Sequence, residues 1–164
     1  MEPNGASKSS ALSSDSTMHT SADMPTRRVI ILCTGNSCRS QMVEGFWRKY
    51  GGGRWEVVSA GTKPSGHVYP LAVKAMTEKG IDISHQRSKS ATPFLNQRFD
   101  LVVTVCSSAD KTCSVFPNCG KYLHHAFDDP PKTPGTDEDR MYVTRRVRDE
   151  IETKVIEWIA AETG

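Results

Sequence analysis

The chain has 164 residues, the length of one domain rather than two. Hydrophobic residues make up 37% and charged residues 24%, enough for a packed core and too mixed for a fibrous or membrane protein. Twenty-one basic against nineteen acidic side chains leave a formal charge of +2, too near neutrality for the broad basic surface of a nucleic-acid binder. Any anion site must therefore be local. No apolar run approaches the roughly 18 residues of a membrane span, and the N-terminus lacks the apolar core of a secretory signal. These features predict a cytosolic protein, in which the five cysteines would be reduced thiols.

Residues 1 to 26 carry seven serines and three threonines, with Leu12 the only large aliphatic. So little apolar surface cannot offset the entropy of ordering the segment, which predicts a disordered extension ahead of a folded domain at residues 27 to 164. The run Val29 to Leu32, ending at Cys33, reads as a strand buried on both faces. Met42, Val43, Phe46, Trp47 and Tyr50 recur at helical spacing and are stopped by Gly51 to Gly53. Trp55 to Ala60 predicts a second strand and Val68 to Lys79 a helix carrying Leu71, Ala72, Ala75 and Met76. Thr92 and Pro93 predict a short helix through Gln97. Leu101 to Val105 reads as a third strand and Lys121 to His125 as a weaker fourth. A last helix, Glu138 to Ala161, lines up Val143, Val147, Ile151, Val155 and Trp158 on one stripe. Alternating strands and helices predict a three-layer α/β/α sandwich around a four-stranded parallel sheet, with ligands bound at the carboxyl ends of the strands.

The segment Cys33, Thr34, Gly35, Asn36, Ser37, Cys38, Arg39, Ser40 falls between the first strand and a helix N-terminus. Inward backbone N–H groups and the helix dipole favour an anion there, Gly35 permits a tight turn, and Arg39 offers a planar fork of donors for a tetrahedral oxyanion. The same donors stabilise a thiolate at Cys33, which makes it a nucleophile facing a bound oxyanion. A buried cysteine at the end of a strand is the ordinary alternative for Cys33 taken alone.

Cysteine, five residues, arginine and serine placed directly after an apolar strand resembles the signature of the low-molecular-weight protein tyrosine phosphatases and of the arsenate reductases that share their fold. The resemblance implies that Ser40 supports the thiolate, that Asn36 holds the loop in shape, and that Asp129, the aspartate before Pro130, is the proton donor, with Asp128 as its alternative. Within the family, Cys106, Cys113, the run Cys38 to Glu44 and the run Arg145 to Ile151 resemble the thioredoxin-coupled arsenate reductases over residues 28 to 160. By that resemblance Cys33 bonds arsenic, Cys106 attacks Cys33 to release arsenite, and Cys113 attacks Cys106. It also implies a monomer with no bound cofactor and with reduced thioredoxin as electron donor.

The other readings are a protein tyrosine phosphatase, which needs no second sulfur, and a noncatalytic thiol-based sensor of arsenic or redox state. Pro130, Pro131 and Lys132 stand after Asp129, where those phosphatases commonly carry a tyrosine pair. Zinc is disfavoured because no close C-x-x-C pair is present. Cys38 reads as a structural residue at a helix start, Cys119 as a bystander, His124 and His125 as residues without chemistry, and Trp47 and Trp158 as packing. A potassium site known in some relatives corresponds to Asn36, Glu44 and Ser59. Lys89 stands where those relatives add an aspartate, so its ammonium would replace the ion.

Overall fold

The computed structural model describes residues 26–105, 116 and 118–163. Of the extension expected over residues 1 to 26, only Thr26 falls among them, and residues 1–25 lie outside the described residues. Strand β1 spans Arg27–Cys33, β2 Trp55–Gly61, β3 Leu101–Thr104 and β4 Lys121–His124. Helix α1 spans Arg39–Gly51, α2 Pro70–Thr77 and α3 Asp137–Thr163.

All strand pairs are parallel, in the order β2-β1-β3-β4. Val29, Ile30, Ile31 and Leu32 are all fully buried. Because successive side chains of a strand point to opposite faces, four buried in a row require that both faces of β1 be covered. The predicted sandwich is thus the observed one. The edge strand β4 differs, with three of its four residues exposed, which is why its sequence signal is weak.

The register fixes what lies beside what. Leu32 pairs with Ala60 on one side and Thr104 on the other, and Cys33 pairs with Gly61. Three strands therefore end together at the edge where the chain leaves β1 for α1.

Helix α1 packs on α3 and on β2. Trp47 of α1 meets Trp55 edge-on at 5.2 Å and lies over Trp158 of α3 at 6.3 Å. These are packing residues, as their helical spacing indicated. Tyr50 departs from the expected buried stripe: it is 38% exposed, and its hydroxyl donates to Glu152 at 2.5 Å. A hydroxyl that reaches a carboxylate at the rim keeps the ring from entering the core.

Element ends shift for identifiable reasons. Helix α2 begins at Pro70 rather than Val68, because the residue before a proline is driven from the helical region, and Tyr69 is accordingly extended. The short helix expected from Thr92 to Gln97 is a single 3-10 turn, Thr92–Phe94. Helix α3 starts at Asp137, where the Thr136 hydroxyl accepts the Asp139 N–H and the Asp139 carboxylate accepts the Thr136 N–H. A further 3-10 turn at Pro130–Lys132 was not foreseen. Among the described residues no helix is long and apolar enough to cross a membrane.

Candidate active site

The loop between β1 and α1 is shaped by where its carbonyls go. Cys33 O accepts the Thr62 N–H at 3.2 Å, Thr34 O that of Lys63 at 2.9 Å, Gly35 O that of Ser65 at 2.9 Å and Ser37 O that of Tyr69 at 2.8 Å. Asn36 O accepts the Gln41 side-chain amide at 2.9 Å. Five consecutive carbonyls thus point away from the loop centre. In a trans peptide the following N–H points the opposite way, so the N–H groups of residues 34 to 38 are turned inward. Inward N–H groups at the N-terminus of α1 are a geometry that can accept an anion.

Close contact with β2 is part of the arrangement. A methyl group added at Gly61 would lie 2.5 Å from the Thr34 carbonyl oxygen and 3.1 Å from the Asn36 nitrogen. Only glycine allows the end of β2 to approach the loop this nearly.

The Cys33 side chain is 2% exposed. Its sulfur lies 2.9 Å from the Ser40 hydroxyl and accepts the Asn36 N–H at 3.2 Å. Donors on sulfur favour its ionised form. Asn36 adopts the left-handed conformation, with φ of 48°. Its side-chain amide donates to Ser40 at 2.8 Å and to Ser59 at 3.0 Å, and its carbonyl oxygen accepts the Lys89 N–H at 2.9 Å. Ser40 and Asn36 therefore stand where the motif placed them.

Arg39 donates to the Phe127 carbonyl at 3.1 Å and pairs with Asp129 at 3.2 Å, while Lys132 lies 3.9 Å from the same carboxylate oxygen. Asp128 turns away to Arg146 of α3 at 2.8 Å. Of the two aspartates, Asp129 is the one at the site. Residues 33–39 and 126–129, with Pro131 and Lys132, enclose a cleft of about 640 Å³.

Cys38 is buried, and burial, reinforced by the negative charge of Asp129, pushes its thiol well above the ordinary range. Its charged form is thus disfavoured. Burial also raises the Cys119 thiol, which donates to the Lys121 carbonyl. His124 pairs with the Thr104 hydroxyl at 2.5 Å on the exposed edge strand. Cys106 and Cys113 lie outside the described residues. The last described residue before Cys106 is Val105, whose N–H donates to Leu32 O at 3.0 Å, one residue before Cys33.

Asn36, Glu44 and Ser59 do come together, but not as a cation site. The Ser59 hydroxyl donates to Glu44 at 2.6 Å, and Arg48 donates to the other carboxylate oxygen at 2.7 and 3.0 Å. Asn36 presents its NH2 group to Ser59. The Lys89 ammonium is near enough to feel Glu44, although burial lowers its pKa from the ordinary lysine value. A carboxylate already matched by a guanidinium, beside amide hydrogens and a lysine, does not fit potassium.

Sequence reasoning did not foresee the Gln41 amide, the Phe127 carbonyl or the backbone donors of residues 62 to 69. Only Gln41 left a signal, as a polar residue beside buried positions in the first turn of α1.

Residues 28–163 match the family model for low molecular weight phosphotyrosine protein phosphatase. An arsenate reductase of Halalkalibacterium halodurans is 52% identical over 136 residues, covering 83% of this chain and 96% of the relative. One of Bacillus subtilis is 46% identical over 141 residues, covering 86% and 99%. A solved arsenate reductase in the phosphate binding state superposes with a TM-score of 0.72 at 32% identity, covering 83% of this chain and 98% of that one.

Proposed function

Because the chain belongs to the low molecular weight phosphotyrosine protein phosphatase family, we propose that it reduces arsenate to arsenite with Cys33 as nucleophile and thioredoxin as the source of electrons. The observation that carries this reading is the Cys33 sulfur, held by Asn36 and Ser40 across a cleft from the Arg39 and Asp129 pair. Relatives named arsenate reductase that span more than four-fifths of the chain favour the reductase over the phosphatase branch.

Arsenate binds in the ring of N–H groups with Arg39 on its oxygens. The Cys33 thiolate attacks arsenic, and an arsenate oxygen leaves as water with a proton from Asp129. Cys106 then attacks the Cys33 sulfur. The sulfur–arsenic bond breaks, arsenic takes its two electrons and departs as arsenite, and a Cys33–Cys106 disulfide remains. Cys113 attacks Cys106, which restores the Cys33 thiolate and leaves a Cys106–Cys113 disulfide for thioredoxin to reduce. Val105, hydrogen-bonded beside the end of β1, supports Cys106 as the thiol that attacks Cys33, because the chain enters Cys106 from there. The same attack on a phosphate ester, completed by water, gives a side phosphatase activity. We place the protein in the cytosol as a monomer.

The test is arsenate-dependent NADPH oxidation with thioredoxin and thioredoxin reductase. Wild type sustains it, and Cys33→Ser abolishes both this activity and aryl phosphate hydrolysis, because a serine hydroxyl is far less ionised. Activity retained by Cys33→Ser removes Cys33 from the mechanism.

A further inference from the structure

The five outward carbonyls of the oxyanion loop are not held alike. Four accept backbone N–H groups, which no substitution short of proline removes. The fifth, Asn36 O, accepts a side chain, Nε2 of Gln41 at 2.9 Å.

Gln41 is fully buried. The second hydrogen of its Nε2 goes to the Arg87 carbonyl at 3.0 Å, and its Oε1 accepts Nε2 of Gln86 at 2.7 Å. Gln86 also donates to the Gln41 backbone carbonyl at 3.1 Å. Every group of the Gln41 amide is thereby engaged in one orientation only. Reversing the amide would set its oxygen against two carbonyl oxygens and its nitrogen against a donor. The amide ties three segments together: the loop, the first turn of α1 and residues 86–87.

Asn36 is the loop residue in most need of holding. It alone among the described non-glycine residues has a positive φ, a conformation that costs energy in an L-residue, and its N–H is donated to the Cys33 sulfur. Releasing its carbonyl frees the Asn36–Ser37 peptide unit to rotate and lets Asn36 relax from its left-handed angles, while the preceding unit stays tied through Gly35 O to the Ser65 N–H and the Ser88 hydroxyl. As Asn36 relaxes, its N–H tilts on the sulfur and that hydrogen bond weakens.

We infer that Gln41 is a positioning residue for the nucleophile, holding Asn36 in its left-handed conformation so that the Asn36 N–H stays on Cys33. This rests on the reading of Cys33 as the attacking thiolate. Gln41 touches neither sulfur nor substrate and acts wholly through Asn36.

The test measures the pH dependence of Cys33 alkylation by iodoacetamide, followed on the Cys33 peptide by mass spectrometry, in wild type and Gln41→Met. Methionine has similar length and volume but no donor. The Met variant should alkylate Cys33 about three- to tenfold more slowly near neutral pH, as expected for one weakened hydrogen bond to a charged group, with the profile displaced to higher pH. Its turnover with arsenate should fall by a similar factor, and Gln41→Glu should not restore it, because a carboxylate cannot donate to two carbonyls. Gln86→Met, which frees the Gln41 amide to rotate, should displace the profile in the same direction by less. This variant decides the matter if Gln41→Met does not fold.

Wild type is the control for the underlying reading. A Cys33 that alkylates no faster than an exposed thiol contradicts its role as nucleophile. A reactive wild-type Cys33, with variant profiles that superimpose on it, overturns the assignment of Gln41 alone.

Discussion

Arg39 and Asp129 pair at 3.2 Å in the lining of the cleft, with their side chains only 11% and 24% exposed. The carboxylate occupies part of the donor fork that an incoming oxyanion needs. Under the proposed function, substrate and Asp129 compete for Arg39, and the competition separates two functions of one residue. In Asp129→Asn the competing charge is gone, so the oxyanion binds as well as before or more tightly. Turnover nevertheless falls about 10²- to 10⁴-fold, the usual range for loss of a general acid. Steady-state kinetics with arsenate, together with inhibition by phosphate, should show kcat falling while KM and the phosphate inhibition constant hold or decrease. A variant with unchanged kcat and weakened binding would assign Asp129 to binding instead of proton transfer. The Asp-Pro dipeptide singled out Asp129, and it is Asp129 that pairs with Arg39 in the cleft. That Asp128 is drawn off by Arg146 was not legible, because their 18-residue separation carries no local signature.

At the scale of elements, helices α1 and α3, both read from apolar positions at helical spacing, pack against each other. Helix α2 is joined to α3 by charge. Glu78, at the C-terminal end of α2, accepts from Arg145 at 2.7 Å and from Arg148 at 2.7 Å, and Arg148 also donates to the Ala75 carbonyl. These donors hold the Glu78 carboxyl down at about 2, against an ordinary value of 4.5. A carboxylate whose folded pKa is depressed stabilises the fold above its unfolded pKa, and that contribution disappears as pH falls through the folded value. The loss from Glu78 therefore occurs between about pH 4.5 and about pH 2. Because Glu78 is 39% exposed, solvent screening keeps the contribution small. Thermal melts should show Glu78→Gln slightly less stable than wild type at pH 7, with the gap closing as pH approaches 2. A gap that stays constant across that window would show that the carboxylate charge plays no part. The motif read in Arg145 to Ile151 is thus in part a clamp between helices. Its residue types were visible in the sequence, and its partner Glu78, 67 residues away from Arg145, was not.

Across the whole molecule, the parallel register aligns the ends of β1, β2 and β3, so that Cys33 at the end of one strand meets the loops leaving the others. The contiguous part of the site, Cys33 to Ser40, could be read directly, because a strand, a loop and a helix start are all local features. The part assembled across the fold could not. Backbone donors at residues 62, 63, 65 and 69 hold the loop open with N–H groups that every residue except proline possesses, so their positions leave no mark in residue type. The proposed relay depends on the same convergence, since Cys106 follows β3 as Cys33 ends β1. The most direct measurement exposes wild type, Cys106→Ser and Cys113→Ser once to arsenate without thioredoxin, counts arsenite released per enzyme, and maps the disulfides under nonreducing conditions. The relay predicts one equivalent from wild type with a Cys106–Cys113 bond, one equivalent from Cys113→Ser with a Cys33–Cys106 bond, and none from Cys106→Ser. Sustained arsenate turnover by Cys113→Ser when thioredoxin is added, or release of arsenite by Cys106→Ser, would contradict it.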